Sequence, residues 1–236
     1  MKQNYFDFII CGGGASGLLL LKALREDPYF NTQSILVVEK ELKNTNDRTW
    51  CYWELPKGNF DPLLTKVWNQ AQFCSKTIHQ EFPLAPLQYK MLRSAGVYQT
   101  FYKQFKQAEN TTFLQAEIQD IRTEGGFTEI VTTEGKFQSK RVFNSLFNPK
   151  PLWNQKKYPV LQQHFVGWFI KTSTPAFDPD KILFMDFDIP QEKETRFLYV
   201  LPLDSHTALV EYTLFSEHLL KLEEYEKGIE SYLKTK

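Results

Sequence analysis

Apolar residues near the start of the chain form two short continuous runs separated by a glycine-rich turn and a helical pattern. Phe8–Cys11 is apolar and leads directly into Gly12-x-Gly14-x-x-Gly17, after which Leu18–Leu24 shows helical spacing. Ile35–Val38 is a second apolar run, rich in β-branched residues. Continuous apolar runs of this length are typical of strands buried on both faces. The pattern therefore predicts a strand, a tight turn, a helix and a parallel second strand, which together make a right-handed βαβ unit.

Later segments alternate apolar and polar residues and predict antiparallel sheet. A helix is expected around 62–70, another over 95–107, and a last one after Ser216, which would cap it. The strands predicted from the alternation lie at 113–121, 127–133, 137–143, 165–171, 182–187, 197–203 and 208–214. We expect residues 142–146 to return to the first sheet. The predicted domains are 1–150, including an irregular aromatic insert at about 42–86, and 151–236, a separate antiparallel sheet with the terminal helix.

The glycine spacing predicts a dinucleotide site. Gly12 suits the tight turn, Gly14 allows close approach of a pyrophosphate, and Gly17 lets the helix lie against the strand. The helix N-terminus at Ala15 and Ser16 then faces the anion. Glu39 follows the second strand where a ribose hydroxyl needs an acceptor. The alternative is a glycine-rich turn between ordinary elements.

Composition narrows the classes of partner. Among 236 residues, 28 Lys and Arg balance 28 Asp and Glu, and no basic stripe is long enough to follow a nucleic acid. The three cysteines and four histidines are scattered, which predicts reduced thiols and no metal site. We expect no signal peptide and no membrane span, so contact with a membrane would occur at its surface. The 36 aromatic residues suit an apolar ligand as well as an ordinary core.

Several segments resemble bacterial lycopene cyclases in sequence and in order. They are Asp47-Arg48-Thr49-Trp50-Cys51-Tyr52-Trp53-Glu54, Gln163-His164-Phe165-Val166-Gly167-Trp168, Phe184-Met185-Asp186-Phe187, Phe197-Leu198-Tyr199-Val200-Leu201-Pro202 and Leu209-Val210-Glu211-Tyr212-Thr213. The family's Glu-x-Gly-x-Ile-Pro-Met segment and its later glycine-rich flavin contacts are absent, and similar chains are longer. The resemblance therefore implies the N-terminal portion of a cyclase. The expected fold class is α/β, a Rossmann-type FAD-binding domain with an inserted antiparallel β-sheet substrate domain, truncated at the C-terminus.

The resemblance implies a chemistry. The substrate would be lycopene or a related acyclic carotenoid, and the cofactor reduced FAD, with NADPH or NADH as reductant and no net redox change. A polyene end is protonated, the carbocation closes a β-ionone ring, and a proton leaves. Residue types here fit the need for an acid that burial keeps protonated. The protein would be cytoplasmic and peripherally associated with the inner membrane.

Two carboxylates are the catalytic candidates. Glu211 matches the first carboxylate of the family's Phe-Leu-Glu-Glu-Thr motif, and Tyr212 replaces the second; its alternative is a solvent-facing residue on an alternating strand. Asp186 is flanked by bulky apolar residues and is a candidate relay or cation stabiliser, or else a cap or buried ion pair. His164 is interpreted as a satisfied strand histidine.

Further candidates would contact substrate or flavin. Trp50, Tyr52 and Trp53 offer π faces to a carbocation and a polyene, although core aromatics would look the same. Arg48 and Arg93 could bind flavin phosphate or ring oxygens, or be surface charges.

Two other functions fit the same pattern. A flavin-dependent monooxygenase or prenyl reductase would share the glycine loop, Glu39 and the inserted sheet, but would consume nicotinamide cofactor. A non-catalytic binding module, or one half of a split enzyme, is the third interpretation.

Overall fold

A computed structural model of the chain describes residues 4–235, which divide into two compact units. The first unit combines the residues up to Thr49 with Arg93–Pro149. The second combines Trp50–Leu92 with the residues from Lys150 onward. The chain therefore leaves the first unit, returns to it, and continues in the second.

Strands dominate the secondary structure. The described strands are β1 (Tyr5–Cys11), β2 (Ile35–Glu39), β3 (Thr49–Glu54), β4 (Leu64–Trp68), β5 (Gln70–Cys74), β6 (His79–Pro83), β7 (Gln88–Arg93), β8 (Thr111–Gln115), β9 (Ile118–Glu124), β10 (Phe127–Thr132), β11 (Gly135–Asn144), β12 (Gln162–Lys171), β13 (Lys181–Asp186), β14 (Thr195–Pro202) and β15 (Thr207–Ser216). The α-helices are α1 (Ala15–Glu26), α2 (Ser94–Phe105), α3 (Lys150–Asn154) and α4 (Leu222–Thr235), and single 3-10 turns lie at Pro28–Phe30 and Asp61–Leu63.

The first unit is a Rossmann-type α/β fold. Its sheet has the order β8-β2-β1-β11-β10-β9, in which β8, β2, β1 and β11 are parallel and β11, β10 and β9 form an antiparallel meander. Ile35–Val38 is buried throughout, as its continuous apolar run predicts. Helix α1 buries Leu18, Leu21 and Leu24 at helical spacing.

The second unit contains two sheets. The larger has the order β12-β15-β14-β13-β5-β6 and is antiparallel except for the parallel pair β5 and β13; the smaller has the order β3-β7-β4. Ile229 of α4 packs with Leu198 and Val210 of the large sheet. Trp68 and Met91 of the small sheet pack with other large-sheet residues, including Leu209. Because successive residues of a strand point to opposite faces, Leu209 and Val210 identify two separately covered faces.

Two predictions about secondary structure and one about domain assignment were wrong. Residues 62–70 are not a helix, because Leu64–Trp68 pairs with β7 and Trp68 is fully buried, its Nε1 donating to the carbonyl of Pro202 at 2.8 Å. Ser216 does not cap a helix; it ends β15 and is buried. Most of the aromatic insert at 42–86 belongs to the second unit rather than the first, since β5 pairs with β13.

None of the described helices is both long enough and apolar enough to cross a bilayer.

Candidate functional site

The first candidate site is a crevice at the carboxyl ends of the parallel strands. The sheet order reverses beside β1, since β2 lies on one side of it and β11 on the other. A cavity of about 430 Å³ opens there, lined by residues that include Gly12, Gly14, Glu39, Arg48 and Ser145. Crevices at such reversal points are where nucleotides bind in open α/β sheets.

The three glycines make the crevice in different ways. Gly12 has a φ of +106°, in the region that favours glycine, and a Cβ there would collide with the Ser145 hydroxyl. A Cβ on Gly17 would collide with the carbonyl oxygen of Gly12, so glycine is what lets α1 lie close to β1. Around Gly14, no described atom lies within 4 Å of the Cβ position. Gly14 precedes Ala15 and Ser16 in the first turn of α1, so this free space lies where an anion would meet the helix N-terminus.

Glu39 is held in place at the end of β2. Its carboxylate accepts hydrogen bonds from the backbone N–H of Gly13 at 2.8 Å and of Glu41 at 3.0 Å. A carboxylate has about four acceptor positions, so capacity remains for a ribose hydroxyl. The acceptor predicted from the sequence therefore lies beside the glycine turn.

The two candidate arginines differ in their position relative to the crevice. Arg48 lines the crevice, its backbone N–H donates to the Ser94 hydroxyl at 3.1 Å, and its Nη1 donates to the Asp47 carbonyl at 2.7 Å. Arg93 ends β7 and precedes α2, and it does not belong to the described lining of this crevice.

Sequence reasoning missed Lys43 and Ser145. Lys43 lines the crevice and pairs with Asp47 at 3.1 Å; burial lowers its pKa, but the hydrogen bond to Asp47 and the charge of Glu39 raise the pKa overall. Ser145 donates to the carbonyl of Cys11 at 2.6 Å. Its position directly after β11, the strand predicted to return to this sheet, was the available signal.

The second candidate site surrounds Glu211 in the second unit. On β15, Glu211 pairs with Gly167 of β12 on one side and Tyr199 of β14 on the other. Burial raises the pKa of Glu211, and the hydroxyl of Thr213, which donates to its Oε1 at 3.2 Å, only partly opposes this. Glu211 therefore retains its proton to higher pH than an exposed glutamate.

Neutral groups surround this carboxyl. Burial, followed by the charge of Glu211, raises the pKa of Cys51 to about 12, and the thiol hydrogen-bonds with Tyr89. Burial and the charge of Glu211 also raise the pKa of Tyr199. At neutral pH all three neighbours are uncharged, so they offer Glu211 no ion pair.

Five contacting aromatic rings lie on this face of the large sheet, with Trp53, Tyr89 and Phe184 each touching the other two, and we call the five rings the aromatic row. Ring centroids are separated by 4.7 Å between Trp53 and Tyr89, 5.9 Å between Tyr89 and Phe184, 5.7 Å between Phe184 and Tyr199, and 5.1 Å between Tyr199 and Phe197. Tyr199 pairs directly with Glu211, so the row passes beside the carboxyl.

The remaining substrate candidates are separated from Glu211. Side chains alternate along β3, so Trp50 and Tyr52 point away from the face that holds Cys51 and Trp53. Burial and the nearby charge of Glu54 raise the pKa of Tyr52. Of the three predicted substrate aromatics, only Trp53 joins the aromatic row.

Asp186 lies on the opposite face of the large sheet. It is 1% exposed and accepts hydrogen bonds from the Tyr232 hydroxyl at 3.0 Å and the Asp188 N–H at 2.8 Å. Tyr232 belongs to α4, which covers the Val210 face, whereas Glu211 points the other way. The structure does not bring the two predicted catalytic carboxylates together, and it favours the structural interpretation of Asp186.

His164 is a satisfied strand histidine, as predicted. Its Nε2 contacts the Ser216 hydroxyl at 2.7 Å and its Nδ1 contacts the Tyr225 hydroxyl at 2.6 Å. Within residues 4–235, no group of three or more His, Cys, Asp and Glu side chains is arranged to hold a metal ion.

Solved structures with the same fold include flavin-dependent enzymes. A geranylgeranyl bacteriochlorophyll reductase-like protein from Thermoplasma acidophilum matches with a TM-score of 0.70 and 12% identity, over 99% of this chain and 62% of its own. Tryptophan halogenase from Shewanella frigidimarina matches with a TM-score of 0.65 and 11% identity, over 99% and 60%. Halogenase PltM, solved in complex with phloroglucinol and FAD, matches with a TM-score of 0.68 and 10% identity, over 97% and 55%. The chain thus spans about three fifths of the length of such structures.

The fold is therefore that of a Rossmann-type FAD-binding protein. Residues 7–236 match the family described as lycopene cyclase protein, and the chain belongs to that family. Among curated proteins, none matches the chain significantly.

Proposed function

We propose that the chain carries the nucleotide-binding and acid-bearing parts of an FAD-dependent lycopene β-cyclase. The observation that carries the proposal is Glu211: in a lycopene cyclase family chain, a carboxyl with a raised pKa lies among neutral groups beside the aromatic row. Protonating an alkene needs such an acid, because a carboxyl that ionises readily is a weak proton donor at neutral pH.

The crevice of the first unit fits FAD. Gly12 and Gly17 bring the turn and helix together, the free space at Gly14 accepts a pyrophosphate, and Glu39 accepts from the ribose. Arg48 would meet a phosphate or ring oxygen. Reduced FAD, maintained by NADPH or NADH, would supply an electron-rich ring system to the reaction, with no net redox change.

Glu211 would transfer its proton to the terminal double bond of an acyclic polyene end. A neighbouring double bond then attacks the resulting carbocation, the ring closes, and a proton leaves the ring to a carboxylate. Atoms and electrons balance without an oxidant. Rings of Tyr199 and Phe184 would stabilise the cation through their π faces.

A redox enzyme of the reductase or monooxygenase class remains the second candidate, because a reductase-like protein shares the fold. The carboxyl at Glu211 favours acid catalysis instead. Nicotinamide consumption separates the two: the cyclase forms product without stoichiometric loss of NADPH, whereas a reductase or monooxygenase consumes about one equivalent.

We also propose that the protein acts at a membrane surface, where its apolar substrate is dissolved. Residues 150–161 of the second unit support this, since they combine strongly exposed apolar side chains with lysines: Leu152, Trp153, Tyr158, Leu161, Lys150, Lys156 and Lys157. Such a mixture suits an interface with anionic lipid. Trp53 and Leu55 of the aromatic insert are further exposed apolar residues of this unit.

The test is expression of the complete gene product in a lycopene-accumulating host. Glu211→Gln keeps the shape of the side chain but removes its ionisable proton, so cyclic carotenoid should fall by about a hundredfold or more while flavin is retained. Glu217→Gln, which alters an exposed carboxyl just beyond β15, is the matched control and should act like the parent.

Asp186→Asn separates the two carboxylates. Because Asp186 holds Tyr232, we expect this variant to lower the amount of folded protein but to keep the activity per folded molecule. Near-parental cyclic carotenoid from Glu211→Gln at equal protein level would count against the proposal.

A further inference from the structure

A cavity of about 370 Å³ lies on the face of the large sheet that α4 covers, and we call it the α4 cavity. Every residue of its described lining belongs to the second unit. Its walls are mainly apolar and include Ile170, Leu183, Val200, Val210 and Leu233. Small molecules usually bind in cavities of about 300–1,000 Å³ that are mainly apolar and carry a few well-placed polar groups.

The polar groups of the α4 cavity stand side by side because they are paired across three neighbouring strands. Cys74 of β5 pairs with His79 of β6 on one side and with Asp186 of β13 on the other. All three residues line the cavity, and so does Tyr232 of α4, whose hydroxyl donates to Asp186 at 3.0 Å. His79 is exposed, whereas Cys74 and Asp186 are buried. The polar row therefore runs from the protein surface to a buried inner end.

The charges around the cavity limit the kind of ligand. Asp178 and Asp186 outweigh Lys181 in the described lining, so an anion would be repelled. Lys181 is held near the surface, where its Nζ pairs with Glu81 at 2.6 Å and with Asp178 at 3.8 Å. An ammonium group would lose its hydration at the buried inner end, which is costly. A hydroxyl costs less to desolvate, and it donates a charge-assisted hydrogen bond to a carboxylate.

We propose that the α4 cavity is a second ligand site, which binds a small apolar molecule with one hydroxyl group. The hydroxyl lies at the inner end and donates to the Asp186 carboxylate, and the hydrocarbon body packs against Ile170, Val200 and Val210. This inference is independent of the proposed function, because Glu211 follows Val210 directly on β15 and points to the other face of the sheet.

The experiment uses the complete gene product and four probes of similar length: octanol, 1-methoxyheptane, octanoate and octylamine. Calorimetric titration at pH 7 measures the affinity for each probe. The ether has the shape of octanol but cannot donate a hydrogen bond, so octanol should bind about tenfold or more tightly than the ether. Octanoate should not bind detectably, and octylamine should bind more weakly than octanol. Octanol should also raise the unfolding temperature, since it binds the folded chain.

Three variants locate the bound probe. Ala176→Trp adds bulk to the lining from an exposed position, so the fold should persist while the affinity for octanol falls by about tenfold or more. Ser173→Trp alters an exposed residue of the same loop outside the described lining, and this matched control should bind like the parent. Asp186→Asn should reduce the preference for octanol over the ether, because a neutral amide oxygen is a weaker acceptor than a carboxylate.

Each further outcome overturns the inference. If the parent fails to bind octanol, the site itself is refuted, and equal affinities for octanol and the ether refute donation by the hydroxyl. Tighter binding of octylamine or octanoate than of octanol refutes the ligand class. Parental affinity in Ala176→Trp, or an equal loss in Ser173→Trp, places octanol outside this cavity. A full preference for octanol in folded Asp186→Asn refutes the role of Asp186. If that variant does not fold, the four probes and the two tryptophan variants decide.

Discussion

The protonation of Glu211 depends on the side chains that the fold brings next to it from neighbouring strands. Its neighbours in sequence do not show whether it is buried. Val210 and Tyr212 are both bulky, so periodicity alone did not say which face Glu211 occupies. The fold places it opposite Gly167 and Tyr199 and near Cys51, and burial raises its pKa. The chemistry proposed for the site depends on this setting.

The raised pKa of Glu211 predicts a dependence of stability on pH. A carboxyl whose pKa is higher in the folded chain than the ordinary 4.5 favours folding most at pH below 4.5, and this contribution is lost as pH rises through the folded pKa. Gln cannot ionise, so Glu211→Gln should unfold at a higher temperature than the parent at pH 7. We expect a difference of about 2 °C, which shrinks towards pH 4.

Thermal unfolding at the two pH values, followed by circular dichroism, measures this difference. Glu217→Gln provides the comparison, because an exposed carboxyl should shift little at either pH. A constant difference between pH 4 and pH 7 would show that Glu211 titrates like an exposed glutamate.

Local sequence predicted part of the two sites and missed the rest for a physical reason. Gly12, Gly14 and Glu39 belong to one continuous βαβ segment, so their spacing alone located the crevice. Cys51 and Tyr199 meet Glu211 through pairing between distant strands, which no local spacing encodes. The direction of the Asp186 side chain was likewise not encoded locally, because an irregular pairing in β13 turns it towards α4.

At the scale of elements, substitutions in the turn between β1 and α1 distinguish an effect on ligand binding from an effect on folding. Gly14→Val adds a side chain into space that no described atom fills, so the fold should persist while a pyrophosphate is blocked. We expect FAD affinity to fall by about tenfold or more, with an unfolding temperature close to that of the parent.

Gly17→Ala is the informative contrast. Its Cβ collides with the carbonyl of Gly12, so α1 must move and the unfolding temperature should fall together with flavin retention. Flavin absorbance after gel filtration and thermal unfolding are measured on both variants. Full flavin retention by Gly14→Val would show that the pyrophosphate does not bind at this turn.

The elements themselves were predicted well where period and turn signals agreed. Helices α1 and α2 and strands β10 and β11 lie close to their predicted positions, whereas the single strand predicted at 113–121 is divided into β8, which pairs with β2, and β9, which pairs with β10. The expected helix at 62–70 failed because Trp68 and its neighbours satisfy their apolar pattern as a strand packed against Leu201 and Leu209. Tertiary packing overrides local preference in segments this short.

At the scale of the whole molecule, the division of the chain was the hardest property to predict. The break after Pro149 carries a proline-rich signal, whereas the break after Thr49 falls inside a motif with none. Only the parallel pairing of β5 with β13, more than a hundred residues later, assigns the aromatic insert to the second unit. A parallel partner that far away leaves no trace in local sequence.

The exposed segment at 150–161 supplies the last prediction, which is peripheral membrane binding. Leu152 is 46% and Trp153 61% exposed, and burying such side chains in an interface contributes about 1.5–3 kcal/mol each. Lys156 and Lys157 add an electrostatic attraction to anionic lipid, and salt screens this attraction. The protein should therefore float with liposomes containing anionic lipid, and less so at high salt.

Leu152→Ser with Trp153→Ser should reduce the bound fraction by about tenfold or more, because both apolar contacts are lost. Leu219→Ser removes a leucine that is 62% exposed elsewhere in the second unit and should leave flotation unchanged. Equal flotation of the double variant and the parent would place the membrane contact outside this segment, and absence of the parent from the lipid fraction would refute membrane binding itself.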